Sequence, residues 1–136
     1  MPSVRHASLR WSRALVFEGG APGGPAVVLD GDGQAGPSPM EQLLLAAAGC
    51  SAIDVVMILE KMRQPLAALR VEAAGTRRDE EPKRYVALEL VFHASGAGLE
   101  RAKVERAVAL SLEKYCSVVA TLAPDTVVTH RVVLDP

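Results

Sequence analysis

The 136-residue chain has the size of one domain that can bury a core without covalent staples, and its 15 Lys and Arg nearly balance 16 Asp and Glu, for a net charge of −1. That balance excludes the basic field by which a protein engages nucleic acid or an anionic membrane surface. The expectation is a single domain over residues 1–136 with no nucleic-acid or membrane partner.

The start, Met1-Pro2-Ser3-Val4-Arg5-His6, has no continuous apolar stretch and so lacks a secretory signal, which makes the cytoplasm the expected compartment. Alternation from Arg5 to Trp11 predicts a half-buried strand, with Ala7, Leu9 and Trp11 on one face and His6, Ser8 and Arg10 on the other. Residues 14–18 read as a second strand, the Gly- and Pro-rich segment 19–25 as a turn, and 26–30 as a third strand, so the chain opens as a meander. The glycines of 31–37 lack the spacing and the strand-to-helix context of a phosphate-binding loop.

The rest is organised around one long helix from Ser38 to Glu60. Ser38 suits the N-cap, Pro39 the first helical position, and Glu41 stands where a capping-box carboxylate reaches back to the Ser38 amide. From Leu43 to Leu59 the surface is apolar nearly all the way round, interrupted by Ser51 and Asp54, which predicts a helix enclosed by other elements. The length approaches that of a short membrane span, but Asp54, Ser51 and the soluble-type cap argue against one.

Pro65 stops the helix. A strand follows over 66–76 with Leu69, Val71 and Ala73 on one face, then a charged turn at 77–84. The next strand, 85–94, points Val86, Leu88, Leu90 and Phe92 inward and Glu89 and His93 outward. Residues 99–114 have helical spacing through Val104, Ala107, Val108 and Leu112; a short helix near 115–122 ends before Pro124, and 126–134 closes the chain as a strand. The order β-β-β-α-β-β-α-α-β describes an α+β domain in which antiparallel sheet wraps a central apolar helix.

Two cysteines in a reducing compartment argue against a structural disulfide, leaving thiol chemistry or plain packing as small hydrophobes. A reactive cysteine attacks as its thiolate and needs a cation, a hydrogen-bond donor or a helix N-terminus nearby. Cys50 lies about three turns beyond Ser38, outside the reach of the helix dipole, and so needs an outside helper. Cys116 stands at the start of a short helix, where free amides would face its sulfur. His6, His93 and His130 fall on separate strands without metal-ligand spacing, so neither a zinc centre nor a Cys-His hydrolase is expected. Met57 and Met62 read as core or interface filling.

Ser38-Pro39-Met40-Glu41, Ala48-Gly49-Cys50-Ser51-Ala52-Ile53-Asp54-Val55-Val56 and Glu113-Lys114-Tyr115-Cys116-Ser117-Val118 together resemble the signature segments of the OsmC/Ohr superfamily, in particular its small OsmC-like branch. The resemblance implies an OsmC-like fold assembled as an intertwined homodimer. It further implies a thiol-dependent hydroperoxide reductase in oxidative-stress defence, with Cys50 the peroxidatic thiolate and Cys116 the resolving thiol. A Cys50 sulfenate would pass to a Cys50–Cys116 disulfide, recycled by a dithiol reductant without cofactor or metal. The family arginine comes from the N-terminal sheet, where Arg13 is chosen over Arg10. Glu41 is the candidate carboxylate to orient it, one position later than in Ohr-type members, where Met40 now stands. The alternative is a non-enzymatic module that binds a small apolar ligand in a cleft over Cys50.

Overall fold

The computed structural model describes residues 2–136. In chain order it has β1 (Ser8–Arg13), β2 (Val16–Gly20), β3 (Val27–Asp30), α1 (Pro39–Lys61), β4 (Ala68–Arg77) and β5 (Tyr85–Ser95). These are followed by α2 (Arg101–Leu110), a π-helical turn (Ser111–Tyr115), α3 (Ser117–Thr121) and β6 (Val127–Leu134). This is the expected α+β order. Contacts divide the chain into two compact units that meet in sequence at Leu43 and Leu44, inside the first turns of α1.

In the first unit β1, β2 and β3 form an antiparallel meander, with Trp11 opposite Phe17 and Phe17 opposite Leu29. The β1–β2 turn puts Ala14 in the left-handed region at φ 44°, and the Trp11 indole donates to the Ala14 carbonyl at 2.8 Å. The expected half-burial of β1 is not what the structure has. The strand is exposed along its whole length, Leu9 at 61% and Trp11 at 65%. Beyond β3 the buried Asp30 carboxylate accepts the amides of Asp32, Gln34 and Ala35 at 2.9, 3.1 and 2.9 Å, folding the loop around itself. The capping box forms as expected: the Ser38 amide donates to Glu41 Oε1, and the Glu41 amide to Ser38 Oγ.

The second unit is built on a three-stranded sheet in the order β4-β5-β6. β4 and β5 pair as the predicted hairpin, Val71 opposite Phe92 and Ala73 opposite Leu90. β6 corrects the antiparallel expectation, since it runs parallel to β5 with Phe92 opposite Val132. The helices between β5 and β6 form a crossover connection, which returns the chain to the sheet in the same direction. The inner face supplies Leu90, Phe92 and Ala94 to a core completed by Ala48, Val55 and Leu59 of α1 and Val104, Ala107 and Val108 of α2. Gly75 is where a side chain has no room: a Cβ would lie 2.4 Å from the Tyr85 ring and 2.9 Å from Leu44.

α1 is long and apolar enough to cross a membrane by length and composition, yet Val55 and Leu59 are fully buried in a protein core. The expectation that the helix is enclosed on all sides holds along one stripe only, through Ala47, Ala48, Ser51, Val55 and Leu59. Leu45, Ile53, Val56 and Met57 stand exposed. The helix ends in a Schellman turn: Arg63 adopts φ 57°, its amide bonds to the Glu60 carbonyl, and the Gln64 amide bonds to that of Leu59. Gln64 is buried, and its side chain accepts the Glu100 amide at 2.8 Å and donates to the Glu100 carboxylate at 3.2 Å. Glu100 is the N-cap of α2 and makes no capping bond of its own, so Gln64 ties the exit of α1 to the entry of α2.

Candidate active site: two facing thiols

Cys50 lies midway along α1, half-buried, and a Cβ on its neighbour Gly49 would meet nothing within 4 Å. Cys116 is the N-cap of α3 and is 3% exposed. The fold places the two thiols side by side with no bond between them. Burial pushes the Cys116 thiol above its ordinary value, and the Cys50 sulfur beside it pushes in the same direction, as expected when the Cys116 S–H donates to Cys50. The amides of Val119 and Val118 pull the other way but make no capping hydrogen bond to the sulfur, and burial prevails. The helix-start position that favoured a reactive Cys116 is therefore outweighed by desolvation. Burial thus favours the protonated form of Cys116.

The chain reaches Cys116 through the π turn, which replaces the last predicted turn of a continuous helix. The Cys116 amide donates to the Ser111 carbonyl five residues back at 2.7 Å, and the fully buried Ser111 hydroxyl donates to Asp54 Oδ2 at 2.9 Å. The Ser51 carbonyl lies 3.5 Å from the same hydroxyl. Ser51 itself is fully buried and donates back to the Ala47 carbonyl at 2.9 Å. Sequence reasoning passed over Ser111. Its signal was present: with Val104, Ala107 and Val108 it falls on the buried stripe of α2, and a hydroxyl on such a stripe needs a partner.

Arg13 and Glu41, the other two candidates, belong to the first unit. Arg13 ends β1 beside Asp30, whose carboxyl lies below its ordinary range chiefly through the Ala35 and Asp32 amides, with Arg13 a smaller contributor. Glu41 is held low by the Ser38 amide first and its hydroxyl second. The Glu41 carboxylate is thus engaged by the N-cap residue Ser38.

Next to the thiols, Asp54, Met57, Ile58, Lys61, Met62, Arg106, Leu110 and Tyr115 line a groove of about 440 Å³. Its walls are mostly apolar, and Cys50 is not among its lining residues.

The sequence profile of the family described as OsmC-like protein matches residues 31–131. The chain is 44% identical over 125 residues to protein YhfA of Escherichia coli K12, covering 91% of this chain and 93% of that one. It superposes on a crystal structure of a protein from Aquifex aeolicus VF5 with TM-score 0.84 at 33% identity, over 99% of this chain and 100% of the other. It shares its fold with the organic hydroperoxide resistance protein OhrB of Bacillus subtilis, with TM-score 0.64 at 16% identity over 98% of each chain.

Proposed function

This chain belongs to the OsmC-like protein family, and on that premise we propose that it is a thiol-dependent peroxidase that reduces organic hydroperoxides to alcohols. The observation that carries the reading is the asymmetric thiol pair: a half-buried Cys50 faced by a buried Cys116 whose protonated form burial favours. The Cys50 thiolate attacks the outer oxygen of a hydroperoxide, the O–O bond breaks, and the alkoxide takes a proton to leave as alcohol. Cys50 is then a sulfenic acid. Cys116 loses its proton and attacks the Cys50 sulfur, the S–O bond breaks, water leaves, and a Cys50–Cys116 disulfide remains. An external dithiol reduces it. In this scheme the raised Cys116 thiol suits the resolving role, because it donates to Cys50 before the first step and attacks only after it. Arg13 is the proposed cation for the Cys50 thiolate and Glu41 the carboxylate that orients it.

The protein is proposed to work as a cytoplasmic homodimer. The exposed Leu45, Ile53, Val56 and Met57 on α1 and Leu9 and Trp11 on β1 are apolar surface that a second copy would cover. Sedimentation at micromolar concentration should return a dimer; a folded monomer would contradict this. The groove of about 440 Å³ supports a second reading, a non-enzymatic module for a small apolar ligand. Peroxide consumption with an excess of dithiol separates the two readings: repeated turnover of alkyl hydroperoxide is expected, and a protein that consumes none would leave the binding module.

A further inference from the structure

We propose that Asp54 and Ser111 are positioning residues that set Cys116 against Cys50 by holding the π turn. The inference rests on the two-thiol reading of the site. A π turn accommodates one residue more than an α turn, so it rotates everything after it by about 100° relative to an unbroken helix. Cys116 is the first residue after that turn, and so the direction in which it meets Cys50 is decided there.

Ser111 controls the turn from both ends. Its carbonyl takes the Cys116 amide at 2.7 Å, and its hydroxyl is held by Asp54 at 2.9 Å. Asp54 is four residues beyond Cys50 on α1, so the two lie one above the other on adjacent turns. The chain of contacts is short: Cys50, one helical turn to Asp54, a hydrogen bond to Ser111, and a hydrogen bond to Cys116. Ser111 is fully buried, which leaves its hydroxyl no water to replace the carboxylate. Without that anchor the Ser111 hydroxyl is left with the longer 3.5 Å approach to the Ser51 carbonyl, and the turn is fixed less closely to α1. The position of Cys116 relative to Cys50 would then be less sharply set.

Oxidised glutathione tests this independently of any peroxide. The Cys50 thiolate attacks the glutathione disulfide, releases one reduced glutathione and carries the other as a mixed disulfide. The Cys116 thiolate then attacks the Cys50 sulfur and expels the second glutathione. Quenched intact-mass spectrometry follows both steps in the reduced full-length protein, with the melting temperature measured in parallel. In Asp54→Ala and Ser111→Ala the mixed disulfide should form at the original rate but close about tenfold or more slowly, as misplacement of a reacting group commonly costs. Asp54→Asn keeps an acceptor for the Ser111 hydroxyl and should restore closure. Asp54 is only half-buried, so its variants remain informative if Ser111→Ala folds poorly. Unchanged closure in both alanine variants, slowing of both steps in proportion to lost stability, or failure of the original protein to close would each overturn the proposal. Normal closure that slows in the variants, in a protein that consumes no peroxide, would uphold it while removing the peroxidase reading.

Discussion

The Ser38 amide donates to Glu41 Oε1 at 2.9 Å while the Glu41 amide donates to Ser38 Oγ at 3.2 Å, a reciprocal pair that starts the helix carrying Cys50. Ser38→Ala should lower stability by roughly 0.5–2 kcal/mol, the usual range for a lost N-cap side chain. Glu41→Gln should cost less, since glutamine completes the same box. Chemical denaturation measures both. If Glu41→Gln abolishes peroxide turnover with the melting temperature unchanged, the carboxylate is needed for chemistry beyond its cap.

Gln64 joins the end of α1 to the start of α2 through two hydrogen bonds to Glu100, and it is buried while doing so. Gln64→Ala strips the Glu100 amide of its partner and should destabilise by about 1–3 kcal/mol. Gln64→Glu keeps the acceptor for that amide but sets a carboxylate against the Glu100 carboxylate, and it should recover little at neutral pH. Urea melts of the three proteins decide it; equal midpoints would show that water replaces the clip.

Asp30 should shape the acid limb of stability. Its carboxyl is depressed below the ordinary value of 3.8, first by the Ala35 and then by the Asp32 amide. A depressed carboxyl stabilises the folded state above its unfolded value and loses that contribution as pH falls through the lower folded value. The Asp30-dependent part of stability should therefore be constant at neutral pH and disappear below about 3.8. Asp30→Asn should flatten the limb there, as read from melting temperatures between pH 2 and 7. An unchanged limb would mean that the loop does not depend on the charge.

Much of this was legible in the residues. Ser38, Pro39 and Glu41 wrote the helix start, and alternation in β4 and β5 wrote the hairpin and its inner face. Nothing in the residues themselves joined Cys50 to Cys116; only the resemblance to the OsmC/Ohr superfamily implied that the two act together. What escaped has physical reasons. The parallel course of β6 depends on where the crossover helices deliver the chain, and alternation is the same for either direction. The exposure of Leu9, Trp11, Ile53 and Met57 was hidden because an apolar residue in a periodic pattern signals burial whether or not its own element is covered. The π turn carries no periodic signal, and only the lone hydroxyl of Ser111 on a buried stripe marked it.

The two-cysteine mechanism is tested most directly by treating reduced protein, Cys50→Ser and Cys116→Ser with one equivalent of an alkyl hydroperoxide and reading intact masses over time. The original protein should lose two mass units as the disulfide closes and then turn over repeatedly with a dithiol. Cys50→Ser should consume no peroxide, whereas Cys116→Ser should gain one oxygen at Cys50, hold a trappable sulfenate and overoxidise on further exposure. Undiminished turnover in both variants would contradict the mechanism.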